Sequence, residues 1–91
     1  MNNTFGILET KGTLTAVLAA NEMMKAANIT LMGKEYLGDG TVTVLVSGNA
    51  ENINKAVKAG EEYLKNTGSE GTVTMITEPA GELRRVLFKH Q

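Results

Sequence analysis

The side chains that could do chemistry are few and poorly grouped. The only histidine, His90, stands one residue from the end of the sequence, and the only serines are Ser47 and Ser69. A nucleophile needs a base within hydrogen-bond reach and a third group to orient that base, and no such set can be assembled around His90. Glu9, Glu22, Glu35 and Asp39 are the carboxylates available for acid–base pairing, but isolated carboxylates at strand ends are ordinarily solvated. Gly38-Asp39-Gly40 is rich in glycine, yet it lacks the third glycine of a dinucleotide fingerprint and precedes a β-branched run instead of a helix. No Walker-type loop and no metal-ligand spacing occurs. No arginine precedes Arg84, so the body of the chain offers no guanidinium to clamp a phosphate, which disfavours a small hydrolase. The expectation is a protein that is not an enzyme and carries neither cofactor nor metal.

Composition narrows the remaining classes. The sequence has 91 residues, enough for a single domain spanning 1–91. A lone chain of this size buries only roughly 60–65% of the surface that its unfolded form exposes, so a partner subunit would help it. Hydrophobic residues make up 42% and charged residues 21%, which excludes disordered and fibrous classes. A formal net charge of −1 leaves no basic footprint for nucleic acid or anionic lipid. The absence of cysteine rules out disulfides and thiolate metal sites. Met1-Asn2-Asn3-Thr4 lacks the charged and apolar regions of a signal peptide, and no apolar run approaches the ~20 residues of a membrane span. A cytoplasmic protein is expected.

The elements that must position any site follow from periodicity. Phe5–Lys11 reads as a strand ended by Gly12, with Thr13 placed to cap a helix over Leu14–Ala27. That helix lacks Gly and Pro; Leu14, Val17, Leu18 and Met24 share a face, but apolar residues extend so widely that burial on two sides is expected. Ile29–Leu37 and Thr41–Ser47 form a hairpin around Gly38–Gly40, where both glycines can take positive φ. In the second strand of that pair Val42, Val44 and Val46 share one face, and Thr41, Thr43 and Leu45 the other. Asn49 caps a second helix whose apolar stripe is Ile53, Ala56, Val57, Gly60 and Leu64. Gly68 and Gly71 bracket the exit, and a last strand runs from Gly71 to Thr77 before Pro79. Beyond Gly81, Leu83, Val86 and Leu87 can line a short docking helix.

The order β-α-β-β-α-β is the split βαβ, or ferredoxin-like, arrangement of the α+β class, with two helices on one face of a four-stranded antiparallel sheet. Crossover handedness puts the first and third strands in the middle. This fold serves many functions, so the site must decide. The RNA-binding version stacks bases on aromatics of its central strands; here the first strand offers only Phe5 and the third offers none. A regulatory domain that binds a small molecule as a dimer is the alternative reading, distinguishable by oligomeric state.

The segments Gly6-Ile-Leu-Glu-Thr-Lys-Gly12, Ala20-Asn-Glu-Met-Met-Lys25-Ala-Ala-Asn28 and Leu37-Gly-Asp-Gly-Thr-Val-Thr-Val-Leu-Val46, continued by Ala59-Gly60, resemble the bacterial microcompartment shell domain from about Phe5 to Pro79. The resemblance implies a flat homohexamer that packs edge to edge with neighbouring shell hexamers and other shell proteins, enclosing an enzyme core in the bacterial cytoplasm. It also implies that the loop between the second and third strands, Gly38-Asp39-Gly40 with Leu37 and Tyr36 beside it, lines a small pore for metabolites on the six-fold axis. By the same resemblance Lys25, accompanied by Asn28, lies at the hexamer edge.

Three positions depart from common members of that family. Asp39 stands where a small neutral residue such as serine is frequent, Tyr36 where lysine is frequent, and Glu78, in Thr77-Glu78-Pro79, where an arginine joins the contact between hexamers. A ring of carboxylates at a pore disfavours anions and resists full ionisation or holds a cation. Glu78 reverses an edge charge, which either weakens tiling or pairs with Lys25 of the adjacent hexamer.

Overall fold

The computed structural model of the chain describes residues 3–78. Six elements follow one another: β1 (Asn3–Lys11), α1 (Thr13–Ala26), β2 (Thr30–Tyr36), β3 (Thr41–Gly48), α2 (Ala50–Thr67) and β4 (Gly71–Glu78). The strands make one sheet in the order β2-β3-β1-β4, with every neighbouring pair antiparallel. The expected ferredoxin-like topology is thus present, with β1 and β3 central. The expected docking helix of Leu83, Val86 and Leu87, and His90 with it, lie outside the described residues.

Both helices pack on the sheet face that carries Leu8, Val42, Val44, Val46 and Val73. α2 buries Ile53, Ala56, Val57, Gly60 and Leu64, the stripe expected from its spacing. Fully burying an aliphatic side chain such as Ile53 or Leu64 gains about 1.5–3 kcal/mol. Its ends are built as the sequence suggests. Asn49 accepts the Asn52 N–H at 2.8 Å, and Gly68, at φ 66°, closes the C-terminus by donating to the last carbonyls.

α1 departs from expectation in two ways. Gly12, not Thr13, is the capping residue: its φ of 86° turns the chain out of β1, no side chain caps the helix, and Thr13 is already helical. The Gly12 carbonyl accepts the Ala16 N–H at 3.4 Å and the Thr10 hydroxyl at 3.2 Å, so the helix starts on a backbone anchor tied to β1. The second difference concerns the buried side. Ala16, Ala19 and Met23 face the core, while Leu14, Val17, Leu18 and Met24 are exposed, Leu14 by 71%. The small alanines let α1 approach the sheet closely, and Met23 fills the space left by two glycines. A Cβ at Gly60 would lie 3.0 Å from Met23 Cγ, and one at Gly6 would lie 3.7 Å from Met23 Cε.

Phe5 and Leu45 are also buried, although strand alternation places them on the sheet face away from the helices. β3 is therefore shielded on both faces, as its β-branched composition allows. β2, at the sheet edge, is less regular: its register against β3 shifts between Leu31 and Gly33.

Candidate functional site

The strand registers separate two groups of residues of interest. At one end of the sheet Lys11 pairs with Thr41 and Tyr36 with Val42; at the other Thr4 pairs with Gly48, Thr30 with Ser47 and Asn3 with Glu78. A nine-residue strand such as β1 places those ends about 27 Å apart.

The β2–β3 turn occupies the first end. Leu37 N–H donates to the Thr41 carbonyl at 2.8 Å and Gly40 N–H to the Leu37 carbonyl at 3.2 Å, closing the turn. Gly40 adopts φ 90°, whereas Gly38 stays at negative φ, so only one of the two glycines is required by backbone geometry. Asp39 folds back on the turn, its Oδ1 accepting the Thr41 N–H at 3.0 Å. Gly12 N–H donates to the Gly40 carbonyl at 2.9 Å, pinning the turn to the β1–α1 junction. Tyr36 and Leu37 are exposed beside it, and Lys34 Nζ lies 5.9 Å from the Tyr36 ring centroid.

The charge on this turn is held in place. The backbone N–H of Thr41, then its hydroxyl, draw the Asp39 carboxyl below its ordinary pKa against an opposing desolvation, and the positive charge of Lys11 adds a weaker pull in the same direction. The charged form and its turn contacts are therefore fully present above the usual carboxylate range and are lost as pH falls through the lowered value. Lys11 Nζ stands 3.9 Å from Asp39 Oδ2. Lys11 and Thr41 were not among the residues expected from sequence at this site: Thr41 follows the turn directly, whereas only the β1–β3 register brings Lys11 to it.

The opposite end carries the remaining expected residues. Lys25 lies exposed in the last turn of α1, where a cation meets the negative end of the helix dipole, and donates to Glu22 Oε2 at 3.1 Å. Asn28 is exposed just beyond, its carbonyl 3.4 Å from where a Cβ on Gly48 would sit. Glu78 ends β4 on the same side, and the structure describes its backbone only. Lys25, Asn28 and Glu78 thus share one end of the sheet, remote from the turn.

Between the two ends runs the exposed apolar side of α1, bordering a shallow groove of about 100 Å³ lined by Ala16, Val17, Ala20, Met24, Leu31 and Lys34. Among the described residues no three His, Cys, Asp or Glu side chains converge as metal ligands, and no helix is long and apolar enough to cross a membrane.

The family profile described as BMC domain matches residues 4–79. The chain belongs to the BMC domain family. It is 38% identical over 84 residues to the bacterial microcompartment shell protein PduA of Citrobacter freundii, covering 92% of this chain and 90% of that protein. It is 40% identical over 88 residues to the carboxysome shell protein CsoS1A of Hydrogenovibrio crunogenus, covering 94% and 91% respectively. The fold is also that of a microcompartment protein from Desulfitobacterium hafniense, with a TM-score of 0.65 at 24% identity; the match spans 85% of this BMC-domain chain and 41% of the other.

Proposed function

We propose that this BMC-domain chain is a structural, non-catalytic subunit of a bacterial microcompartment shell. Six copies close into a ring around the β2–β3 turn, and rings tile through the opposite end of the sheet. Matches to shell proteins over nearly the whole of both chains support the shell role. The observation that carries the ring is the distribution of apolar surface. Among the described residues, the large exposed apolar side chains are Leu14, Val17, Leu18, Met24, Leu31, Tyr36 and Leu37 on the α1–β2 flank, with Met75 on β4 at the other edge of the sheet. Two unlike flanks that meet head to tail give a closed ring when the rotation allows closure. The described residues also form a slab, 37 × 30 × 15 Å, suited to a flat tile.

In this ring Gly38, Asp39 and Gly40, with Tyr36 and Leu37 behind them, surround the axis and line a passage for metabolites. Lys25, Asn28 and Glu78 reach the perimeter, where neighbouring hexamers and other shell proteins meet. The assembled shell lies in the bacterial cytoplasm and encloses enzymes. Native mass spectrometry, followed by electron microscopy of concentrated protein, tests the proposal. Hexamers that form sheets or tubes are expected, and Lys25→Ala should keep the hexamer while abolishing the sheets. A dimer would overturn the ring in favour of a ligand-binding regulator, and loss of the hexamer in Lys25→Ala would overturn the edge assignment.

A further inference from the structure

The carboxylate on the turn has a built-in opponent. Lys11 is the last residue of β1, and its register partner on β3 is Thr41, the residue whose N–H holds Asp39 Oδ1. One carboxylate oxygen is thereby fixed by the turn, and the other stands 3.9 Å from Lys11 Nζ. The backbone of Lys11 is tied down from the other side, its N–H donating to the Glu70 carbonyl at 3.4 Å. Both groups spring from hydrogen-bonded backbone on either side of Thr41, so their proximity follows from the register itself. Glu9 and Glu70 border the same cleft as Lys11, yet among the described residues only Asp39 lies within ion-pair distance of it.

The pair does little for the fold. The Lys11 and Asp39 side chains are 54% and 67% exposed, and an ion pair in such a setting adds little stability. What the exposure does provide is access to solutes. We propose, on the basis of the ring and pore described above, that Lys11 is the counter-charge of the pore. The mouth is then a ring of alternating Lys11 and Asp39 charges with no net sign, and Lys11, as much as Asp39, determines which solutes pass. Asp39 alone would make a passage that repels anions; with Lys11 in place, that exclusion is cancelled and the passage favours neutral and zwitterionic metabolites. For an ion on the axis about 8 Å from each of six charges, screened by physiological salt, uncovering one sign changes the local concentration roughly five- to tenfold.

Two measurements separate this role from the pore reading on which it rests. In the first, assembled rings are placed in planar bilayers under a potassium chloride gradient, and reversal potentials give the cation-to-anion permeability ratio. The wild type should lie near unity, Lys11→Gln should favour cations by roughly five- to tenfold, and Asp39→Asn or Asp39→Ser should favour anions by a similar factor. The double variant Lys11→Gln/Asp39→Asn should return close to the wild-type ratio. A ratio moved by Asp39→Asn but not by Lys11→Gln would overturn the role of Lys11. In the second measurement, the carboxyl carbon of Asp39 is titrated by NMR, which needs no pore. Lys11→Gln should raise its midpoint, and an unmoved midpoint would overturn the pair itself. A raised midpoint with no change in any permeability ratio would overturn the pore reading, and with it the function assigned to Lys11.

Discussion

The two helices lie side by side on the same face of the sheet, yet they distribute their apolar residues in opposite ways. α2 places Ile53, Ala56, Val57, Gly60 and Leu64 on the core and turns Glu51, Lys58, Glu61 and Lys65 to solvent. α1 gives the core only Ala16, Ala19 and Met23 and leaves Leu14, Val17, Leu18 and Met24 uncovered. The difference separates two demands on one small chain. α2 is satisfied by its own sheet, whereas α1 carries more apolar surface than one copy buries, the condition under which a surface serves association.

Substitutions on the two helices can break that contrast. The largest effect on the isolated subunit is expected at Ile53, which is fully buried: Ile53→Ala should lower unfolding free energy by about 3 kcal/mol in a denaturant titration of dissociated subunits. A loss below about 1 kcal/mol would show that the α2 stripe is not the centre of the core. A smaller loss is expected where only a cap is removed. Asn49→Ala should cost about 1 kcal/mol by the same titration, and unchanged stability would mean that the 2.8 Å bond to Asn52 contributes nothing. The smallest effect on the fold belongs to the uncovered side of α1. Leu18→Glu should leave the subunit within about 0.5 kcal/mol of wild type while removing the assembled species from native mass spectra. A stability loss like that of Ile53→Ala, or an unchanged assembly, would erase the distinction between the helices.

What could be read in advance follows the same division. In α2 the apolar stripe is narrow and the polar side unbroken, so the period identifies the buried residues, and residue type identifies the Asn49 cap and the Gly68 exit. In α1 the apolar residues run around most of the helix, and periodicity cannot tell which side meets the sheet. That choice is made by shape: Ala16 and Ala19 allow close approach, and Met23 fits between Gly6 and Gly60. Thr13 looked like a cap by residue type, but the positive φ of Gly12 starts the helix one residue earlier on a backbone anchor. The strand order was legible because handedness and connectivity leave few alternatives. The hairpin turn was legible too, from Gly38-Asp39-Gly40. Lys11 was not, because its proximity to Asp39 depends on a register between strands separated by a whole helix and another strand. The shift between Leu31 and Gly33 belongs to the same class, being a property of the pairing and not of β2 alone.

The central position of β1 bears on how the protein is made. β1, made before the other strands of this sheet, needs partners on both sides, β3 and, beyond a further helix, β4. At roughly 5–20 residues per second, several seconds of synthesis separate Lys11 from Gly71. Until then β1 lacks one partner, and contacts between such distant segments are slow to close. The sheet is therefore complete only once β4 has been made, and the exposed side of α1 emerges well before the flank of β4 that completes it. Closure of the sheet is in this sense a late event of synthesis, dictated by where the chain places its first strand.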